Sequence, residues 1–364
     1  MVVTASERAS FYRAVALCVF LFSAKWAAAQ TPSPALLILE KSDKSMAIVD
    51  PGNLKIVARV PAGEDPHEIV ASPDGKVAYI SNYGGTDSNL NTISVVDLVA
   101  QKPLPPINLG ALHSAHGLAF AGGKLYFTVE TNKAFGRYDP ATQTIDWILG
   151  TGQDRTHMIN VSQNLDRIFT ANVNSGTISI IEQVMPSFPP GPGPGGPPPG
   201  GARKTWKITS VPSGRGSEGF DVSPDGKEIW AGNAQDGTVT VIDVASKKAV
   251  QTFPVSVNHA NRLKFTPDGK RVLISGLGGG PPSSASAAAS KGSNLAIIDA
   301  ATYKEIKQLS LGGGAAGILI VADGSRAFVA VSEKDKVAVI DLKTLEIAGE
   351  IPTGRQPDGL AWAR

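Results

Sequence analysis

Residues 218–256 have the sequence EGFDVSPDGKEIWAGNAQDGTVTVIDVASKKAVQTFPVS, which predicts four short strands. The predicted strands are residues 219–222, 228–232, 238–244 and 249–255. The turn between the first two is Pro224-Asp225-Gly226, where proline presets φ and glycine supplies a positive φ. The third strand alternates with a period of two, and no part of the stretch has helical periodicity. The stretch therefore predicts a four-stranded antiparallel unit.

The same unit recurs along the chain. Its turn returns as SPDGK at residues 72–76, TPDGK at 266–270 and ADGS at 322–325, and its third strand returns as stretches that end at Asp50, Asp97, Glu182, Asp299 and Asp341. The residues that open the first strand of each unit, here called the ring residues, are His67, His116, His157, Glu218, Asn261, Ala316 and Asp358. Neighbouring ring residues are 43 apart from 218 to 261 and 42 apart from 316 to 358. This period, with four strands per repeat, is typical of propeller blades.

The second strands carry a further signature. Residues 79–82 are YISN, 169–172 are FTAN and 230–233 are WAGN. Together with the VSVID-type strands that follow, they resemble the YVTN repeat of the lactonase-like and surface-layer-like β-propellers. The resemblance covers nearly all of the chain beyond its first residues and implies a seven-bladed propeller. YVTN-type propellers serve varied roles, so the resemblance implies no single activity.

The chain ends show how the ring closes. Residues 36–40, 45–50 and 55–60 form three strands that lack a first strand, and residues 359–363 match the missing one. We therefore predict an all-β, seven-bladed β-propeller over residues 36–364, closed by pairing the C-terminal strand with the N-terminal blade. Closure removes the open sheet edges that invite aggregation.

Several segments interrupt or precede the blades. Residues 30–35 are predicted to be a linker, and residues 83–91, 183–204 and 276–292 are predicted to be loop insertions. Blade three diverges most, because its turn at Gly122-Gly123 is one residue short by our alignment. That alignment places Glu130 where other blades have Asn82 and Asn172.

The first 29 residues have the pattern of a secretory signal peptide. Arg8 and Arg13 precede an apolar run over residues 14–24, and small residues precede an expected cleavage after Ala29. The run is too short for a membrane anchor, and Cys18 follows Leu17 without the apolar run of a lipoprotein signal. We therefore expect a periplasmic or secreted protein with no transmembrane segment after cleavage. Cys18 is the only cysteine, so the mature chain has no disulfide and no thiol ligand.

The net charge argues against one class of partner. The whole chain carries +2, and the charged residues of the predicted signal peptide (Glu7, Arg8, Arg13 and Lys25) account for that excess. A near-neutral mature chain lacks the basic surplus of a nucleic-acid-binding protein. We expect a monomer that binds a small molecule or a protein at its funnel face, and no nucleic acid.

Three ring residues of consecutive blades are histidines, and a glutamate follows in the next blade. His67, His116, His157 and Glu218 should converge at the mouth of the channel, because ring residues surround one axis. Imidazole and carboxylate groups bind Zn, Cu, Fe or Mn, and three histidines with one glutamate leave a position for water. The alternative is that these histidines only cap loops or form hydrogen bonds within the funnel.

Other polar residues of the same loops are candidate ligand-binding residues. These are Arg155, Arg215, Arg355, His113, His259, Asn261, Asp358 and Glu130. The arginines precede their ring residues by two or three positions and could clamp an anion in bidentate fashion, or they could be solvated loop charges. The aspartates that end the third strands recur in most blades and are interpreted as structural.

Three functions are compatible with these residues. The leading hypothesis is an exported propeller that binds a ligand or a protein partner on its funnel face. The second is a metal-dependent enzyme of lyase, lactonase or oxidase type that uses the histidine arc, and the third is a structural cell-envelope protein. The sequence has no GxSxG elbow, phosphate loop or dinucleotide fingerprint, so no catalytic residue is assigned.

The Pro/Gly tract at residues 189–201 allows the first test. It has no apolar side chain to bury beyond its prolines, so we expect a removable surface loop. Shortening it to a few residues should leave the melting midpoint, followed by circular dichroism, nearly unchanged. A midpoint lowered by many degrees would mean that the tract packs against the fold.

Overall fold

The computed structural model describes residues 30–84, 90–186, 203–278 and 294–364. The chain divides into two compact units, Met1–Gln30 and Thr31–Arg364, and of the first only Gln30 is described. The predicted signal peptide and most of the three predicted loop insertions therefore lie outside the described residues. Within the described part, no helix is both long enough and apolar enough to cross a membrane.

The described residues form 28 strands. In chain order they are β1 Ala35–Glu40, β2 Ser45–Asp50, β3 Lys55–Pro61, β4 Pro66–Ala71, β5 Val77–Asn82, β6 Thr92–Asp97, β7 Lys102–Asn108, β8 Ala115–Ala121, β9 Lys124–Val129, β10 Ala134–Asp139, β11 Thr144–Gly150, β12 Thr156–Val161, β13 Arg167–Asn172, β14 Thr177–Val184, β15 Thr205–Pro212, β16 Ser217–Val222, β17 Glu228–Asn233, β18 Thr238–Asp243, β19 Lys248–Pro254, β20 Ala260–Phe265, β21 Arg271–Gly276, β22 Leu295–Asp299, β23 Lys304–Leu309, β24 Ala315–Ile320, β25 Arg326–Val331, β26 Lys336–Asp341, β27 Glu346–Pro352 and β28 Pro357–Ala363. Two short 3₁₀ helices, Lys41–Asp43 and Ser332–Lys334, follow β1 and β25.

The strands form seven four-stranded antiparallel sheets arranged as propeller blades. Blade 1 has the order β28-β1-β2-β3, and blades 2 to 7 each use four consecutive strands from β4 to β27. The innermost strands contact one another in the circular sequence β28, β4, β8, β12, β16, β20, β24 and back to β28. The predicted seven-bladed propeller is confirmed.

The pairing of the first and last strands closes the ring. In blade 1, Leu36 of β1 lies opposite Trp362 of β28, and Ile38 lies opposite Leu360. The predicted closure is confirmed. Before β1, the Thr31 hydroxyl donates to the Leu98 carbonyl oxygen, which ties the N-terminal segment to blade 2.

The hydrophobic core lies between neighbouring blades, because the two faces of each small sheet are apolar. Trp230 of β17 is fully buried and packs edge-on against Phe253 and Phe265, while its indole N–H donates to Glu228. Burying one such side chain contributes about 1.5–3 kcal/mol to the stability of the fold. Many inter-blade contacts of this kind hold the ring together.

The recurring turns are held by hydrogen bonds of their serine and aspartate side chains. In the first SPDGK turn, the Ser72 hydroxyl donates to Asp74 Oδ1 at 2.6 Å, and Gly75 has φ +68°. At the end of β6, Asp97 accepts the N–H groups of Val99 and Ala100. These residues recur because each blade needs the same turns.

The strand pairing in blade 3 differs by one residue from the alignment made from the sequence. Ala115 of β8 pairs with Val129 of β9, just as Pro66 of β4 pairs with Asn82 of β5. Glu130 is therefore one residue beyond the position of Asn82, and our alignment at this point was wrong. The cause is the β8–β9 turn, where Gly122 and Gly123, at φ +56° and +76°, form a two-residue connection in place of the five residues found between β4 and β5.

Each innermost strand is irregular next to its ring residue. The register shifts between Pro66 and Ile69 in β4, and comparable shifts occur at this point in the other six inner strands. Bulges of this kind redirect side chains. Neighbouring inner strands also approach closely, because a Cβ at Gly219 would collide with the carbonyl oxygen of Asn261.

The closure leads to a stability prediction. Deleting residues 358–364 removes most of β28 and exposes the edges of β1 and its neighbours. We expect the melting midpoint, measured by calorimetry, to fall by at least about 10 °C, or the protein to become insoluble. The matched control is deletion of residue 364 alone, which lies outside the strand. A truncated protein that melts like the parent would contradict closure by this strand.

Candidate functional site

The ring residues surround one end of the central channel. Each is the second residue of an innermost strand, so all seven share one register. Around the channel they follow the order Asp358, His67, His116, His157, Glu218, Asn261 and Ala316. The imidazole centroids of His67 and His116 are 4.9 Å apart, and those of His116 and His157 are 3.7 Å apart. The structure thus brings the three predicted histidines into contact.

His157 is held in one orientation by a carboxylate. Its Nδ1 is hydrogen-bonded to Glu130 Oε1, and its side chain is 1% exposed. Its Nε2 is 3.7 Å from Glu218 Oε1 and has no hydrogen-bond partner among the described residues. With Glu130 as the hydrogen-bond partner of Nδ1, Nε2 is the ring nitrogen of His157 left for a ligand.

His116 lies between the other two histidines and is buried. Its Nδ1 has no hydrogen-bond partner in the described part of the chain. Burial, followed by the proximity of His157 and His67, lowers its pKa well below the usual value. His116 is therefore neutral near pH 7 and keeps a lone pair available for a ligand.

Two buried carboxylates flank the histidines and stay ionised. Although burial opposes it, the hydrogen bond with His157 lowers the pKa of Glu130, which also accepts bonds from Tyr83 and Arg155. Burial and the adjacent Glu130 charge in turn raise the pKa of Tyr83 to about 12. Burial also acts to raise the pKa of Glu218. A 2.8 Å hydrogen bond to His259 and nearby positive charges outweigh this effect and lower that pKa to about 2.

His67 uses both of its ring nitrogens. Its Nδ1 is 3.1 Å from Asp358 Oδ2, and its Nε2 is 2.6 Å from the Lys41 ammonium. Asp65 also lies here, 3.4 Å from Lys41 Nζ and 3.7 Å from His67 Nε2. Burial raises the pKa of Asp358, but the hydrogen bond with His67 and nearby cations outweigh it, so that this pKa is lowered overall.

A buried ion pair spans the channel beneath the ring. Arg262 of blade 6 reaches Glu68 of blade 2, with Nη2 2.5 Å from Glu68 Oε1, and also donates to the Asn261 carbonyl oxygen. Glu68 and Arg262 each come directly after a ring residue in the sequence. Beyond the pair is a cavity of about 400 Å³ walled by the inner strands, including Phe220 and Trp362. The ring histidines do not line that cavity, so the pair separates it from the mouth.

The register of each loop residue decides whether it reaches the ring. Residues two positions before a ring residue have a positive φ in six blades: Asp65, Ser114, Arg155, Gly216, His259 and Gln356. Of the predicted ligand-binding residues, Arg155 and His259 occupy this register and contact ring carboxylates or Glu130.

The predicted residues three positions before a ring residue lie on the outer rim. Arg215 pairs with Asp236 at 2.6 Å, and Arg355 pairs with Asp43 at 2.7 Å, with both arginine side chains largely exposed. The backbone N–H of His113 donates to Asn132 Oδ1 in the same register. The structure therefore does not bring Arg215 and Arg355 to the histidines. Asn261 is buried in the ring, at 3% exposure.

Lys41 and Tyr83 belong to the site but were missed from the sequence. Each directly follows the second strand of its blade, as Glu130 does in blade 3. In three consecutive blades, the residue that directly follows the second strand is therefore a polar residue that lies next to the ring residues. An alignment that counted the residue after the YVTN-like asparagine would have found this register, once the two-residue turn of blade 3 was allowed for.

The mouth can hold a cation on geometric and electrostatic grounds. One ligand atom from each of His116, Glu130 and His157 lies within 4.8 Å of the others. Five carboxylates and three cationic groups contact the ring residues or span the channel beneath them: Asp65, Glu68, Glu130, Glu218 and Asp358 against Lys41, Arg155 and Arg262. Among these eight groups the carboxylates outnumber the cationic groups by two, which suits a divalent cation.

Comparison with known proteins supports the fold. No family model and no curated protein matches the chain. Among solved structures, it is similar to hydrazine synthase from Kuenenia stuttgartiensis (19% identity, 81% of this chain and 89% of that chain, TM-score 0.62). It is also similar to dihydro-heme d1 dehydrogenase NirN in complex with DHE (16%, 90% and 74%, 0.60) and to a putative 6-phosphogluconolactonase from Bacteroides fragilis (14%, 91% and 98%, 0.67). At these identities the likeness shows the propeller fold alone.

The channel ion pair leads to a stability prediction. In Arg262→Met the Glu68 carboxylate, which is 18% exposed, loses its partner, so we expect a loss of about 1–3 kcal/mol in the free energy of unfolding, measured by urea titration. The double variant Glu68→Gln with Arg262→Met should recover part of that loss. The exposed Arg215→Met is the matched control and should change stability by less than about 0.5 kcal/mol. Equal effects of Arg262→Met and Arg215→Met would contradict the buried pair.

Proposed function

We propose that the protein is a metal-binding propeller whose mouth holds one divalent transition-metal ion and, through it, a small-molecule ligand. The proposed ligands are His116 Nδ1, His157 Nε2 and a Glu218 carboxylate oxygen. The two histidines belong to the group whose ligand atoms lie within 4.8 Å of one another, and Glu218 is included because its Oε1 is 3.7 Å from His157 Nε2, while Glu130 is bonded to Nδ1 of that histidine. One observation carries the proposal: the contacting rings of His116 and His157 each have one buried nitrogen with no hydrogen-bond partner among the described residues. Leaving a buried polar group without a partner costs about 1–3 kcal/mol, which ligation would offset.

The distances and the supporting carboxylate fit such an ion. Two ligand atoms on a tetrahedral zinc ion are about 3.3 Å apart, and His157 Nε2 is 3.7 Å from Glu218 Oε1. Glu130 holds the other nitrogen of His157, as carboxylates commonly do behind metal-bound histidines. Glu130 therefore orients a ligand in this proposal, and His67, with both nitrogens in use, is not assigned to the ion.

The donor set favours zinc, and it also suits iron, manganese or copper. Two imidazoles and one carboxylate are a common set for zinc with an open position, and a bound ion would act as a Lewis acid. Arg155 is 36% exposed beside Glu130, so its guanidinium is accessible at the mouth. A ligand with a carboxylate or phosphate group is therefore favoured on this face.

The second candidate function is a metal-dependent enzyme of lyase, lactonase or oxidase type. The hydrogen bond between Glu130 and His157 Nδ1, with Nε2 left for the proposed ion, favours it, because a bound ion held in this way could support a reaction as well as binding. Lactone hydrolysis by zinc-loaded protein, with Glu130→Gln as the comparison, separates it from binding alone. A structural envelope role requires no buried, charged mouth.

We further propose a location, an oligomeric state and a family for this protein. We propose export to the periplasm or medium through the N-terminal 29 residues, and action as a monomer. We also propose that the chain is a divergent YVTN-type propeller. In its support, Asn82, Asn172 and Asn233 each bond hydroxyl groups of the neighbouring third strand.

Metal content tests the proposal. Protein produced through its own export route, loaded with Zn²⁺ and freed of excess metal, should contain one equivalent by elemental analysis. His116→Ala and His157→Ala should lose it, because each removes a ligand. Glu130→Gln should weaken binding by about 10–100-fold, as expected for a residue that orients a ligand.

The rim provides the matched control. His113→Ala changes a histidine three residues from His116 but outside the ring, so its metal content should equal that of the parent. A parent protein that binds no metal under these conditions, or a loss equal in His113→Ala and His116→Ala, would overturn the proposed site.

A further inference from the structure

The mouth contains two half-sites of the same design, one on each side of His116. In the first, His157 is bonded at Nδ1 by Glu130, and its Nε2 is 3.7 Å from Glu218. In the second, His67 is bonded at Nδ1 by Asp358, and its Nε2 is 3.7 Å from Asp65. Each half-site thus has one imidazole, a carboxylate at its Nδ1 and a second carboxylate beside its Nε2.

The two half-sites differ in what faces the Nε2 atom. No described residue forms a hydrogen bond to His157 Nε2. His67 Nε2 instead accepts a hydrogen bond from the Lys41 ammonium at 2.6 Å. That ammonium is also 3.4 Å from Asp65 and 4.0 Å from Asp358, so it contacts every member of its half-site.

We propose that Lys41 is a built-in cation that occupies the second half-site and confines the mouth to a single metal ion. An ammonium is a compact charge with three donors, and here it neutralises part of the carboxylate charge that a metal would neutralise. Without it, His67 Nε2 and Asp65 would be available to a second divalent ion. The buried His116, with its unpartnered Nδ1, lies between the two half-sites.

The local fold holds Lys41 in this place. It is the first residue of the short 3₁₀ helix after β1, and its backbone N–H donates to the Gln356 carbonyl oxygen of the strand connection before β28. Its side chain is 20% exposed. Lys41 thus depends on the closure of blade 1, which brings both chain ends beside His67.

The experiment compares the number of zinc equivalents bound by the full mature chain, measured by titration calorimetry and elemental analysis. Lys41→Met removes the charge and keeps most of the side-chain length, whereas Lys41→Arg keeps the charge. We expect one equivalent in the parent and in Lys41→Arg, and two in Lys41→Met. Adding His67→Ala to Lys41→Met should return the number to one. Lys41→Gln provides a second neutral variant if Lys41→Met is insoluble.

The expectation that the parent binds one ion rests on the proposed function. The outcomes distinguish a failure of that function from a failure of the role proposed for Lys41. No metal in the parent but one equivalent in Lys41→Met, lost again with His67→Ala, would support the role of Lys41 and overturn the proposed function. Neutral variants that bind the same number of ions as the parent would overturn the role of Lys41. A second equivalent that persists without His67 would also overturn it.

Discussion

The antiparallel pairing of β1 with β28 is the constraint on which the rest of the structure depends. It makes the chain a closed ring, so that one register of the repeat is placed seven times around one axis. Residues that are 40 or more positions apart in the chain become neighbours in the mouth. The same pairing brings Lys41 and Asp358, from opposite ends of the chain, beside His67.

The mouth holds several charged groups in a largely buried place, where an unpaired charge has a high desolvation cost. Glu130, Glu218 and Asp358 remain ionised because imidazole, ammonium and guanidinium groups bond to them, as their lowered pKa values show. Arg262 and Glu68 form the floor of this cluster. Apolar packing would serve a purely structural role as well, and strongly perturbed titratable groups of this kind are concentrated at functional sites.

Repeated and unrepeated residues have different roles in this fold. Residues common to many blades, such as the turn aspartates and the asparagines of the second strands, bond within their own blade. Residues that differ between blades at the ring register, and at the register just after the second strand, supply the chemistry of the mouth. Lys41, Tyr83 and Glu130 share that second register, and each contacts a ring histidine or its partner.

The sequence by itself determined the seven blades, the closure and the ring register, because turn chemistry and strand alternation are local and repeat along the chain. It also identified His116, His157 and Glu218 as neighbours. Only the tertiary structure decided which nitrogens are free, since that depends on partners from other blades: Glu130 for His157, and Lys41 with Asp358 for His67. It also decided that Arg155 reaches Glu130 at the mouth while Arg215 pairs with Asp236 on the rim, because Arg155 lies two residues before its ring residue, at a positive φ, and Arg215 lies three residues before.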